Sequence, residues 1–160
     1  MKKCLLVIAV ALFSAAIQAQ EIKKVKINEL LELVNKSETP VIVNFWATFC
    51  MPCIKEIPYF EEAVKNNASS GVKLILVSLD MEEEYPQKLK EFVRKRKFTS
   101  PVLWLNEDNA DYFTPLVDKS WSGAIPASLF INKKTGYRRF YEEEFTREKL
   151  EKEIKKLTAQ

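Results

Sequence analysis

Val41-Ile42-Val43-Asn44-Phe45-Trp46-Ala47 runs directly into Thr48-Phe49-Cys50-Met51-Pro52-Cys53. The first seven residues are almost wholly apolar and rich in β-branched and aromatic types, which is how a buried strand reads. From Cys50 onward the chain reads as the opening of a helix. A cysteine at such a junction meets unpaired backbone N–H groups and the positive end of the helix dipole, and both favour the thiolate over the thiol. The thiolate is the nucleophile of sulfur chemistry, so this is where a dithiol becomes reactive.

Two plainer readings of the cysteine pair are weaker. A Cys-x-x-Cys pair can be half of a zinc site, but zinc wants four ligands, and the chain has no histidine and only one other cysteine, Cys4. No metal site is expected. An inert structural bridge closing so small a loop removes little chain entropy and stabilises weakly. The redox reading stands on position between strand and helix as much as on spacing.

Residues 1 to 19 read as an export signal. Lys2 and Lys3 form a charged start, Leu5 to Phe13 an apolar centre, and Ser14 to Ala19 a small-residue cleavage region. Cleavage is expected after Ala19, with an uncut tether as the alternative because Ile17 is bulkier than the usual alanine. The apolar run is short for a span, which takes about 20 residues. Cys4 precedes that run, which argues against a lipid anchor, and it leaves with the signal. Residues 20 to 160 then form one domain with a single core. Losing Lys2 and Lys3 lowers the formal charge from +3 to +1, a balance that implies neither nucleic acid nor an anionic membrane as partner. The run Arg94-Lys95-Arg96-Lys97 reads as the solvated face of an amphipathic helix rather than a docking patch.

Periodicity places the remaining elements. Leu30, Leu31, Leu33 and Val34 predict a first helix capped by Asn28. Ile54, Ile57, Phe60 and Val64 share a face of the helix after the cysteines, with Pro58 kinking rather than stopping it. Val72 to Leu79 predicts a strand, Tyr85, Leu89, Phe92 and Val93 a helix, and Pro101 to Leu105 a short apolar strand. The stretch Ala110 to Val117 is ambiguous, because Pro115 limits a helix there. Ala127 to Ile131 and Tyr137 to Tyr141 predict an antiparallel hairpin across a polar turn ending near Gly136. A last helix follows Thr146, its candidate cap, with Leu150, Ile154 and Leu157 inward. Parallel pairing in the first half and antiparallel in the second predict an α/β fold: a mixed central sheet with helices on both faces.

From Val43 through Cys50-Met51-Pro52-Cys53 to Pro58, and again at Gly123-Ala124-Ile125-Pro126-Ala127, the chain resembles the thioredoxin fold, and more narrowly the exported TlpA/ResA-like thiol-disulfide oxidoreductases. The resemblance spans residues 20 to 160. It implies that Cys50 attacks, that Cys53 resolves the mixed disulfide by closing an intramolecular bridge, and that Cys50 is the exposed thiol of the two. It also implies a cis Ile125-Pro126 bond facing the dithiol, the only cis bond expected, with the Ile125 backbone available to a substrate strand.

Glu56 lies three residues beyond Cys53, so the two share a helix face. From the residues alone it reads equally as a surface glutamate or as a carboxylate that takes the proton from Cys53. The matching acid of ResA-like proteins implies the second. Asn44 stands where ordinary thioredoxins carry a buried aspartate, and an amide cannot titrate. Trp46 and Phe49 read either as apolar walls for substrate or as core.

Neither Met51 nor Pro52 adds a side-chain donor to stabilise the thiolate, which favours a reducing role. The expected potential lies nearer thioredoxin's roughly −270 mV than the roughly −120 mV of strong oxidants of this fold. Expected partners are disulfide-containing protein substrates and an upstream thiol reductant; no cofactor beyond the dithiol is called for. Two other functions compete: a thiol peroxidase and a non-enzymatic binding module. Against the first, Thr48-Phe49-Cys50 is one residue short of a Thr-x-x-Cys site; against the second stands the intact cysteine pair.

Overall fold

In the computed structural model, which describes residues 21–159, the strand predicted from Val41 lies in the interior of a six-stranded sheet. Both the segment read as an export signal, residues 1 to 19, and Cys4 lie outside the described residues. In chain order the elements are β1 (Lys23–Val25), α1 (Ile27–Asn35), β2 (Val41–Trp46), α2 (Met51–Asn66), β3 (Lys73–Ser78), α3 (Gln87–Arg96), β4 (Val102–Leu105), α4 (Ala110–Val117), β5 (Ala127–Asn132), β6 (Tyr137–Tyr141) and α5 (Arg147–Thr158), with short 3-10 turns at Ala68–Ser70 and Glu82–Glu84.

The strand order is β1-β4-β3-β2-β5-β6. β1, β4, β3 and β2 run parallel, whereas β5 and β6 are antiparallel. This is the expected mixed α/β sheet. Every residue of β2 is buried, because helices cover both faces and a strand between them meets no water. Alternation divides its side chains. Ile42 and Trp46 join Ile57, Phe60, Leu89 and Leu150 on the face covered by α2, α3 and α5, while Val41, Val43 and Phe45 join Ile27, Leu30 and Phe113 under α1 and α4.

Two expectations need correction, and two stretches that the sequence left open take definite form. Asn28 does not cap α1; Lys26 is the cap residue, and Glu29 reaches back to accept the Lys26 backbone N–H at 2.7 Å. β1 was not anticipated, since Lys-Lys-Val carries no apolar run and pairs only as a sheet edge. Ala110 to Val117 is a helix despite Pro115: Asn109 caps it by accepting the Tyr112 N–H, and Phe113 and Val117 bury their side chains. Tyr85-Pro86 is cis as well as Ile125-Pro126.

An aromatic cluster ties the late elements to α2. Phe60 lies 5.5 Å from Phe145 and 6.3 Å from Phe130, and Phe130 lies 5.4 Å from Phe145, ring centre to ring centre. All three rings are fully buried. Burying each contributes about 1.5–3 kcal/mol, and together they fix the start of α5 against the middle of α2. This docking brings the Phe145 backbone to the site described next.

Candidate active site

Cys50 is the N-cap of α2, and its Sγ accepts the Cys53 backbone N–H at 3.3 Å. The two cysteines are joined in a disulfide, with Cα atoms 5.3 Å apart. Pro52 in the first turn needs no hydrogen bond there, and α2 runs unbroken past Pro58 to Asn66. Cys53 is completely enclosed and Cys50 retains 7% of its surface. The accessible thiol is therefore Cys50, as the resemblance implies, but as a narrow opening rather than an exposed residue. Phe49, Met51 and Met81 stand largely free in solvent at 68%, 65% and 70% exposure.

The loop entering Cys50 is clamped by a residue that the sequence did not single out. Asp80, nearly buried, accepts the Thr48 N–H at 2.9 Å and the Thr48 hydroxyl at 2.6 Å on Oδ1, and the Ser78 hydroxyl at 2.7 Å on Oδ2. Its own carbonyl accepts Trp104 Nε1–H at 2.7 Å. The parallel pairing of Trp46 with Ser78 brings these loops together at the strands' C-terminal ends.

Glu56 is fully buried one turn beyond Cys53. Its Oε1 accepts Asn44 Nδ2–H at 2.8 Å and its Oε2 accepts the Phe145 N–H at 2.7 Å. Burial pushes its carboxyl up to about 7 from the usual 4.5, against the lowering effect of the Phe145 and Asn44 hydrogen bonds. Glu56 is thus no surface glutamate. Its visible hydrogen bonds go to Asn44 and Phe145 rather than to Cys53.

Pro126 is buried and the bond before it is cis; Ile125 is half-buried and packs against both cores. Phe45 pairs with Ala127, so Pro126 sits at the start of β5 beside the end of β2 from which the cysteine loop departs. The segment before it is braced by Trp121 Nε1–H donating to the Ala124 carbonyl at 2.8 Å and by Glu142 accepting the Ser122 and Ala124 N–H groups at 3.0 and 2.9 Å. Trp46 corrects an expectation. It is wholly buried, 5.5 Å from Phe98 and 6.0 Å from Phe92, and offers no wall to a substrate. The reason is that helices cover both faces of β2, so Trp46, on the Ile42 face, packs into the core there.

A dithiol capping the helix after the central strand of such a sheet defines a thiol-disulfide oxidoreductase of thioredoxin-like fold. Known proteins agree. The chain is 29% identical to sporulation thiol-disulfide oxidoreductase A of Bacillus subtilis over 134 residues, covering 78% of this chain and 77% of that one. It is 30% identical to the thiol-disulfide oxidoreductase ResA of Bacillus cereus over 128 residues, covering 80% and 69%. The crystal structure of StoA from Bacillus subtilis aligns with a TM-score of 0.56 at 28% identity, covering 73% of this chain and 83% of that one. A thioredoxin-related protein from Neisseria meningitidis shares the fold at a TM-score of 0.65 and 23% identity, over 78% and 88%. The AhpC/TSA family model matches residues 9–136, and the chain belongs to that family.

Proposed function

We propose that this protein is an exported, periplasmic reductant of protein disulfides, working by exchange through Cys50 and Cys53. The observation that carries the reading is the asymmetry of the pair: Cys50 caps α2 and alone reaches the surface, while Cys53 is sealed beneath it. In the reduced protein the Cys50 thiolate attacks a substrate disulfide, forming a mixed disulfide and releasing one substrate sulfur as a thiolate. Cys53 then gives its proton to Glu56, directly or through one water. Its sulfur attacks Cys50 Sγ, and the second substrate sulfur departs. The substrate gains two electrons and the protein becomes the bridged form seen here.

Glu56 suits the proton step because its carboxyl is poised near neutrality by burial. Ile125 and Pro126, at the rim, are proposed to offer backbone and surface to an extended substrate segment. Direction rests on Met51 and Pro52, which add no side-chain donor to hold the thiolate. An upstream thiol reductant restores the dithiol. The apolar run from Leu5 to Phe13 supports export, and among the described residues no helix is long and apolar enough to cross a membrane.

Trapping tests the assignment. Cys53→Ser should accumulate mixed disulfides through residue 50, releasable by dithiothreitol, and the captured proteins name the substrates. Equal trapping by Cys50→Ser reverses the two roles. Peroxide consumption with no protein disulfide present replaces the reductase by a peroxidase.

A further inference from the structure

One polar atom beside Glu56 is left over. Asn44 Oδ1 is buried and accepts no hydrogen bond among the described residues, although Asn44 Nδ2 donates to Glu56 Oε1 at 2.8 Å and to Ser128 Oγ at 3.0 Å. Asn44 and Ser128 are directly paired residues of β2 and β5, so their side chains leave the sheet on the same side, toward α2. A buried acceptor without a donor costs free energy, and its place beside a titratable carboxyl calls for a reason.

We infer that Asn44 is a positioning residue which, with Ser128, reverses its hydrogen bonds so that Glu56 gains and loses a proton without moving. The inference rests on the proton-accepting role proposed for Glu56. With Glu56 ionised, Asn44 donates twice, as observed. When Glu56 is protonated, Oε2 stays fixed by the Phe145 N–H, so the proton sits on Oε1 and points at the Asn44 amide. A half-turn of that amide puts Oδ1 where Nδ2 was. Oδ1 then accepts from both the Glu56 Oε1–H and the Ser128 hydroxyl, since a hydroxyl donates as readily as it accepts.

Two hydrogen bonds replace two, and one amide atom is unpartnered in either arrangement. No covalent bond changes in the reversal. The single proton arrives from the Cys53 thiol and later returns to solvent. An aspartate at position 44 has no such second arrangement, because an ionised aspartate offers ionised Glu56 no donor and repels it. The groups that bear on Glu56 from the neighbouring elements are Glu144, ahead of α5, which opposes its ionisation, and Lys149 on α5, which favours it. On its own helix Cys53 lies one turn before it; among the described residues its neighbours from β2 and β5 in this hydrogen-bond set are Asn44 and Ser128, neither of which titrates.

The test is nuclear magnetic resonance of the reduced full chain between pH 5 and 9, following the Glu56 carboxyl carbon and the Asn44 side-chain amide. Both signals should move with one common midpoint. Asn44→Asp should raise the midpoint of the pH profile for resolution of the mixed disulfide by at least tenfold in proton concentration. A titrating Glu56 beside an Asn44 amide that does not respond overturns the reversal and leaves the role of Glu56 standing. A Glu56 that stays ionised throughout removes both. A folded Asn44→Asp protein with an unmoved midpoint also overturns the inference.

Discussion

Two buried carboxylates flank the dithiol, and they are held in opposite ways. Asp80 accepts donors from the Thr48 backbone and hydroxyl, on the loop after β2, and from the Ser78 hydroxyl, at the last residue of β3. Glu56, on the helix that carries the cysteines, accepts only two among the described residues, from Asn44 and Phe145. Two donors do not offset complete burial, and its carboxyl rises to about 7. The contrast sets a brace against the proton acceptor proposed above: Asp80 ties down the loop ahead of Cys50, and Glu56, held by fewer donors, sits one turn beyond Cys53.

The largest test of that difference is stability against pH. The folded value for Glu56 lies above its unfolded value, so the folded state binds more protons between about 4.5 and 7. Its contribution is therefore fully present below pH 4.5 and is lost as pH rises through 7, by up to about 3 kcal/mol. Urea unfolding of the wild type at pH 5 and pH 8 should show a loss of this order from Glu56. In Glu56→Gln that part of the slope should vanish; if the two proteins share one pH profile, the carboxyl is not poised.

Kinetics come next. Glu56→Gln removes the proposed acceptor for the Cys53 proton while keeping shape, and the release of substrate from the mixed disulfide should slow by roughly 100-fold at pH 7. Formation of the mixed disulfide through Cys50 should change little. Asp80→Asn should do the reverse in kind. Replacing an acceptor-only carboxylate by an amide spoils at least one of its bonds and should lower stability by about 1–3 kcal/mol, seen as a fall in Tm. A 100-fold loss of resolution rate in Asp80→Asn would erase the distinction between brace and acceptor.

How far this site can be read from the chain follows from sequence distance. Cys50 and Cys53 are legible because strand, loop and helix opening are contiguous; helix periodicity ties Glu56 to Cys53 but left a surface glutamate equally open until the family resemblance weighed in. Asp80 is not, since its partner Thr48 lies 32 residues away and meets it only through the register of β2 with β3. The Phe145 N–H reaches Glu56 across 89 residues, by the docking of one helix on another. Trp46 is a different case. A continuous apolar strand already implied burial on both faces, yet proximity to the cysteines in sequence suggested a wall. β1 and the helix through Pro115 were illegible for local reasons, one too short and polar, the other carrying a residue that breaks helices unless packing holds them.

The smallest effect concerns the rim rather than the carboxylates. Phe49 and Met81 belong to the two loops that Asp80 binds together, and both side chains stand mostly in water. Such exposed apolar groups beside a nearly closed thiol stabilise a docked polypeptide only by the area it covers. Met81→Ser should therefore raise KM for a protein disulfide about fivefold, near 1 kcal/mol, and leave turnover of a small disulfide unchanged. Trp46→Phe, confined to the core, should alter Tm and not KM. Were the pattern inverted, with KM sensitive to Trp46 and indifferent to Met81, the substrate would have to enter beneath the sheet end, and the clamp at Asp80 would have no surface to hold in place.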